Sequence, residues 1–179
     1  MLNGETLSIN ANNKYGCFVE ILEAIQQQLD AMLSYHCKVL VLRFDLHTDE
    51  YQSNNALISK FVRKIRKRLK AKYLIKRLGY VWVREIEKAK SQHYHFALMI
   101  DGNKVRHPSI LIGLIEAIWV RCYQPKPFTP KNCYYLITRS TGKNYGECFE
   151  RLSYLAKERG KGYRDKTAND YSTSRIRPK

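Results

Sequence analysis

The run Gln92-His93-Tyr94-His95-Phe96-Ala97-Leu98-Met99-Ile100 decides how this chain reads. Side chains alternate faces along a β-strand, so His93 and His95 point to one side while Tyr94, Phe96, Leu98 and Ile100 point to the other. Such a strand buries its apolar side and presents two imidazoles, within reach of a single metal ion, on the second. Alone the motif is weak, because a strand with two half-exposed histidines also arises from composition. Its weight depends on what the rest of the chain places around it.

Two further strands share the pattern. Residues 38–47 put Leu40, Leu42, Phe44 and Leu46 on one face and Val39, Val41, Arg43, Asp45 and His47 on the other. Residues 80–87 read as a strand joined to 92–100 by a turn over Lys88-Ala89-Lys90-Ser91, which makes a hairpin. Even positions on the three strands are mostly apolar. Odd positions carry Asp45 and His47, Glu85 and Glu87, His93 and His95. Polar, ligand-type groups on neighbouring strands converge on one face, which points to a site. A hairpin sets opposite residues on one face. A loop of 88–90 places Glu85 across from His93; a five-residue loop places Glu85 across from His95 and Glu87 across from His93. Glu85 is in reach either way and is the preferred carboxylate, with Glu87 as the alternative. His93, His95 and Glu85 form a mixed nitrogen and oxygen set that suits Mn²⁺ or Mg²⁺ bound with substrate oxygens, and zinc is compatible.

Helices separate these strands. Phe18, Ile21, Leu22, Ile25, Leu29 and Leu33 recur at helical spacing. A second helix is expected over 54–77, after Ser53 as cap and stopped by Gly79, and a third over 109–123 ahead of Pro125, Pro127 and Pro130. Residues 133–139 read as a fourth strand and 146–158 as a last helix. Residues 1–15 form a loose lead-in and 159–179 a basic, irregular tail of one domain. After the first helix the order is β-α-β-β-α-β-α. The expected fold is therefore α+β and ferredoxin-like (βαββαβ): an antiparallel sheet, first and third strands central, two crossover helices on one face, and the metal site and last helix on the other.

The formal net charge of +16 in 179 residues predicts a polyanionic partner, most commonly nucleic acid. A membrane surface is disfavoured, because no segment pairs a basic face with a Trp/Phe-rich one. Five cysteines without a C-x-x-C pair argue for free thiols in a reducing compartment. With no leader and no apolar run long enough to span a bilayer, a cytoplasmic location in a bacterial cell is expected. Residues 63–77 hold nine basic side chains in fifteen, Arg63 and Lys67 among them, and no acid. Their helix lies opposite the metal face and suits flanking duplex or a partner. Arg159, Lys161, Arg164, Lys166 and Arg175 of the tail are expected to clamp DNA beside the last helix, with salt-dependent affinity.

The strand Val41-Leu42-Arg43-Phe44-Asp45-Leu46-His47, then Trp82-Val83-Arg84-Glu85, the triplet His93-Tyr94-His95, Ser153-Tyr154-Leu155-Ala156-Lys157 and Ser172-Thr173-Ser174-Arg175 follow one another in that order. From about residue 38 onward this resembles the HUH endonucleases that initiate rolling-circle replication. More narrowly, it is similar to filamentous-phage (inovirus) gene-II-type and prophage replication proteins. The resemblance implies a metal-assisted transesterification at a single-stranded origin, with Tyr154 as nucleophile forming a 5′-phosphotyrosine and Lys157 positioning the phosphate or metal-bound water. A host helicase is a further partner it allows. Y-x-x-K occurs five times, and Tyr154 is preferred because it alone lies on a helix after the fourth strand. Tyr163 is the runner-up and keeps a two-tyrosine scheme open. Asp45 departs from the threonine- or serine-rich first motif of many initiators, and neither it nor His47 is assigned a direct role. The rival readings are a relaxase or transposase of the same chemistry, and a non-catalytic nucleic-acid-binding module.

Overall fold

The structure, a computed structural model, describes residues 6–11, 16–86, 92–122, 124–158 and 168–179. The chain folds as a mixed α+β protein. The strands are β1 (Lys38–His47), β2 (Gly79–Ile86), β3 (Gln92–Asp101), β4 (Tyr134–Thr138) and β5 (Tyr171–Thr173). The helices are α1 (Val19–Tyr35), α2 (Ala56–Tyr73), α3 (Ser109–Val120) and α4 (Tyr145–Ser153), with a 3₁₀ turn over Tyr154–Ala156. The strands form one antiparallel sheet in the order β4-β1-β3-β2-β5, with β1 and β3 adjacent at its centre as expected.

The even positions bury under α2 and α3. Leu40, Leu42, Phe44, Leu46, Trp82, Tyr94, Phe96, Leu98 and Ile100 share a core with Ile58, Phe61, Ile65 and Leu69 of α2 and Leu111, Ile115 and Trp119 of α3. Phe44 stacks on Phe96 with centroids 4.9 Å apart, and Phe61 meets both edge-on. Trp119 donates its indole N–H to the carbonyl of His47 (2.9 Å), tying α3 to the end of β1.

The opposite face is not an open polar surface. Val39, Val41, Val81, Val83, Ala97 and Met99 form a second core with Ile21, Ile25, Leu29 and Met32 of α1 and Cys148, Phe149 and Leu152 of α4. On this face each central strand changes character along its length. Valines, alanine and methionine lie at one end; Arg43, Asp45, Glu85, His93 and His95 lie at the other. The sheet register brings the polar ends together.

Several expected boundaries shift, each for a local reason. Helix α2 ends at Tyr73 because Leu74 adopts a left-handed conformation (φ 52°) and donates its N–H to the carbonyl of Lys70. Its N-cap is Asn55 rather than Ser53, and the first helical N–H is met by Asn54 Oδ1 at 2.9 Å. Gly79, expected as the stop, instead begins β2 where α1 crosses it: a Cβ there would lie 2.7 Å from Met32 Cγ and 3.0 Å from Met99 Cβ. Helix α3 ends at Val120, ahead of the expected 123; Tyr123 itself lies outside the described residues. The tail is not irregular throughout. β5 pairs with β2, and Asp170 and Ser174 extend the contact through Arg84 N–H (2.7 Å) and Tyr80 C=O (3.0 Å), satisfying groups an edge strand would leave open. Among the described residues no helix is long and apolar enough to cross a membrane.

Gly79→Ala should reduce unfolding free energy by about 1–3 kcal/mol through overpacking against Met32 and Met99. Urea denaturation should show a lower midpoint with an unchanged slope.

Candidate metal centre and tyrosine

Register sets the site. Glu85 pairs with His93 and Val83 with His95 across β2 and β3, which is the shorter-loop alternative; Asp45 pairs with His95 and His47 with His93 across β1 and β3. Opposite residues share a face, so three strands aim their polar side chains into one buried volume. Glu85, His93 and His95 each offer a ligand atom, and all three atoms lie within 4.8 Å of one another. Glu85 Oε2 is 2.6 Å from His95 Nε2 and 3.7 Å from His93 Nε2. Glu87 lies outside the described residues.

His95 has a second carboxylate. Its Nδ1 is 2.7 Å from Asp45 Oδ1. Burial alone would lower the His95 pKa, but the hydrogen bonds and charges of Asp45 and Glu85 outweigh it and the value rises. Burial pushes the Asp45 carboxyl up, and the His95 hydrogen bond with the charges of His95, Arg43 and His93 brings it below its ordinary value. Two states suit this geometry. An imidazolium donates from both nitrogens, one to each carboxylate. A neutral imidazole donating Nδ1–H to Asp45 turns its Nε2 lone pair toward Glu85, as a cation bound between them requires. The donor set therefore fits a divalent metal, with Asp45 orienting His95 from behind. The sequence places β1 beside β3 but does not set their register, so it assigns Asp45 no role. Its register opposite His95 is the signal that would have found it.

His47 stacks on His93 with centroids 5.2 Å apart, and His93 Nδ1 has no hydrogen-bond partner among the described residues. Tyr154 lies edge-on to His95, 5.3 Å between centroids. The expected helix through Glu158 is corrected here. α4 ends at Ser153, and Tyr154 begins the 3₁₀ turn because the backbone beyond it bonds to residues 16–18: Phe18 N–H to Ala156 C=O (2.8 Å) and Glu158 N–H to Gly16 C=O (3.1 Å). Lys157 follows the turn, and its Nζ is 4.9 Å from the Tyr154 ring centroid. The two residues meet as expected, though not along a helix face. Arg43 also meets this ring, its guanidinium carbon 4.3 Å from the centroid.

The expected DNA-contacting residues disperse. Arg63 and Lys67 are exposed on α2, across the sheet from Glu85 and the histidines. Lys67 lines a groove of about 410 Å³ with Lys64, Arg68, Ile118 and Arg121. Arg175 does not sit beside the tyrosine. Its charge, with that of Arg66, acts on Tyr80, whose pKa burial raises, and Tyr80 lies about 17 Å along β2 from Glu85. Placing Ser174 on Tyr80 through the β5 pairing carries Arg175 to that end. Arg159, Lys161, Tyr163, Arg164 and Lys166 lie outside the described residues.

Fold and site thus define an α+β protein with a buried carboxylate–histidine group against a tyrosine. Residues 3–170 match the model of the YagK/YfjJ C-terminal domain, and the chain belongs to that family. It is also similar to "Uncharacterized protein YfjJ" of Escherichia coli (strain K12), 25% identical over 192 residues that cover 84% of this chain and 92% of that protein. No solved structure matches the chain.

In the metal-free protein the Asp45–His95–Glu85 group has a definite pH signature. The raised His95 value contributes stability that is complete below its unfolded value of about 6.5 and is lost as pH rises through the folded value. The lowered Asp45 value contributes stability present above about 3.9 and lost as pH falls through its folded value. Thermal melts in EDTA should show a decline above neutrality that becomes shallower in His95→Gln.

Proposed function

We propose that the protein is an HUH-type, metal-dependent single-strand DNA nickase and strand transferase that initiates rolling-circle replication of a phage, satellite or prophage element. The observation that carries this reading is the half-buried Tyr154 ring set 5.3 Å from His95, which shares a ligand group with Glu85 and His93. A ferredoxin-like reading of the core is supported by the run β4-β1-β3-β2 within the sheet, with α2 and α3 over one face.

Glu85, His93 and His95 would hold the cation, Mn²⁺ or Mg²⁺. When bound, it polarises a phosphate oxygen and offsets its charge. Tyr154 Oη bonds to phosphorus, the P–O3′ bond breaks, and the phenolic proton is taken up by the departing 3′ oxygen. The products are a 5′-phosphotyrosine and a free 3′-hydroxyl able to prime synthesis. Asp45 holds the His95 tautomer. Lys157 supplies positive charge beside the tyrosine. The exposed basic face of α2 would hold flanking duplex by its phosphates, with affinity that falls as salt rises.

Incubation with Mn²⁺ and labelled single-stranded fragments of the element's own origin should yield a covalent protein–DNA adduct. Tyr154→Phe should abolish it, and His93→Ala should reduce it by at least about 100-fold. An adduct that survives Tyr154→Phe and disappears in Tyr163→Phe would move the nucleophile. No adduct with any fragment or divalent metal would leave a non-catalytic nucleic-acid-binding module.

A further inference from the structure

Arg43 lies on β1 where the buried valines of that face give way to Asp45, and the residue is only 5% exposed. A guanidinium offers five N–H donors and keeps its charge under all ordinary conditions. Buried this deeply, it calls for acceptors or anions around it. The structure supplies them incompletely. The contact with Asp45 Oδ2 is long, at 3.8 Å, and Asp45 is already engaged by His95. The Arg43 Nε has no hydrogen-bond partner among the described residues. What the side chain does meet is the ring of Tyr154, with its guanidinium carbon 4.3 Å from the centroid. The same ring lies edge-on to His95, one of the candidate metal ligands.

We propose that Arg43 is a positioning residue for the nucleophile: it holds the Tyr154 ring against His95 and stabilises the negative charge left on Tyr154 Oη as its proton departs, before that charge is drawn into the new P–O bond. This rests on the nickase reading. A cation is drawn to the electron-rich face of an aromatic ring, and more strongly where water is excluded. As the phenolic O–H lengthens ahead of full bonding to phosphorus, with the proton passing to the departing 3′ oxygen, electron density on the ring and oxygen rises above that of the resting phenol. The attraction to Arg43 therefore grows between the resting enzyme and the transition state, and an interaction that grows in this way accelerates the step. The Nε–H, which has no partner among the described residues, fits this role as a donor open to the incoming phosphate. A merely structural Arg43 would act equally at every stage, as a buried stem and a partner for Asp45.

Two variants separate these cases. Arg43→Met keeps the stem and removes the charge; Arg43→Lys keeps a charge. Single-turnover adduct formation should be measured at saturating Mn²⁺ on a labelled origin oligonucleotide, together with Mn²⁺ affinity, oligonucleotide affinity and melting temperature. Arg43→Met should slow adduct formation by about 30-fold, while the two affinities change by less than about 3-fold. Arg43→Lys should recover most of the rate. An Arg43→Met rate within about 3-fold of wild type overturns the proposal and leaves the nickase reading standing. So does an equal rate loss in both variants accompanied by weaker Mn²⁺ binding. A wild-type protein that forms no adduct overturns both. If Arg43→Met does not fold, Arg43→Gln serves as the neutral variant. In the folded wild type, the Arg43 Nε–H proton resonance should carry an upfield ring-current shift that vanishes in Tyr154→Leu; its absence also overturns the proposal.

Discussion

The carboxylate pair that grips His95 is the constraint on which the site depends. Asp45 comes from β1, His95 from β3 and Glu85 from β2, and the contacts are 2.7 and 2.6 Å. A one-residue slip at either interface would turn one partner to the opposite face and bury an unpaired charge. The polar cluster therefore specifies the pairing of the three central strands as strictly as the apolar faces do. Ionic groups this deep contribute little net stability when fully paired, and breaking one partner away is what costs heavily. A carboxylate–imidazole–carboxylate row accordingly reads better as a holder for a cation, proton or metal, than as a device for holding the sheet together. The two bonds hold the imidazole in one orientation, so a metal would meet a ligand already in place.

That row survives burial because the sheet is covered on both faces. Helices α2 and α3 seal the even positions, while α1 and α4 seal the apolar half of the odd ones. What remains is a buried polar cluster of Asp45, Glu85, His93 and His95 at one end of the sheet. Lower local dielectric strengthens each contact within it, and the same physics raises the cost of every donor left unmet. His93 Nδ1 and Arg43 Nε are two such donors or acceptors among the described residues. Arg43 meets the tyrosine ring and His93 belongs to the candidate ligand set.

Much of this was legible in the residues. Period-two patterning in three segments showed the strands and their inner face, because alternation in a half-buried strand has one cheap solution, and it narrowed the partner of Glu85 to His93 or His95; the structure sets the shorter-loop register with His93. The central placement of β1 and β3 followed from element order. Three things were not legible. The covering of the odd face by α1 could not be read, since an amphipathic helix shows which side it buries and not against what. β5 is three residues long, and its pairing depends on an edge of β2 that no local signal announces. The end of α4 at Ser153 was hidden because helical spacing of apolar residues continues through Leu155 and Ala156. Competition from the backbone of residues 16–18 is a tertiary effect.

That last contact changes how the tyrosine should be understood. Tyr154 does not ride on a free helix laid across the sheet. On its N-terminal side, Ser153 Oγ accepts the Asn10 N–H at 2.7 Å and bonds to the Glu150 carbonyl at 2.7 Å. On its C-terminal side, Ala156 and Glu158 pair with Phe18 and Gly16. Ser153, Leu155 and Ala156 are buried, so the backbone around Tyr154 is held by neighbours that cannot shift independently. Gly16 itself approaches Glu158 so closely that a Cβ would lie 2.9 Å from a carboxylate oxygen. On the proposed nickase reading such fixation is useful, because the entropy of placing the tyrosine against a phosphate is removed before substrate arrives. The strap comes from residues that precede β1, outside the β-α-β-β-α-β core. The N-terminal segment and α1 are therefore part of the site's machinery: they close the second face of the sheet and fix the tyrosine against it.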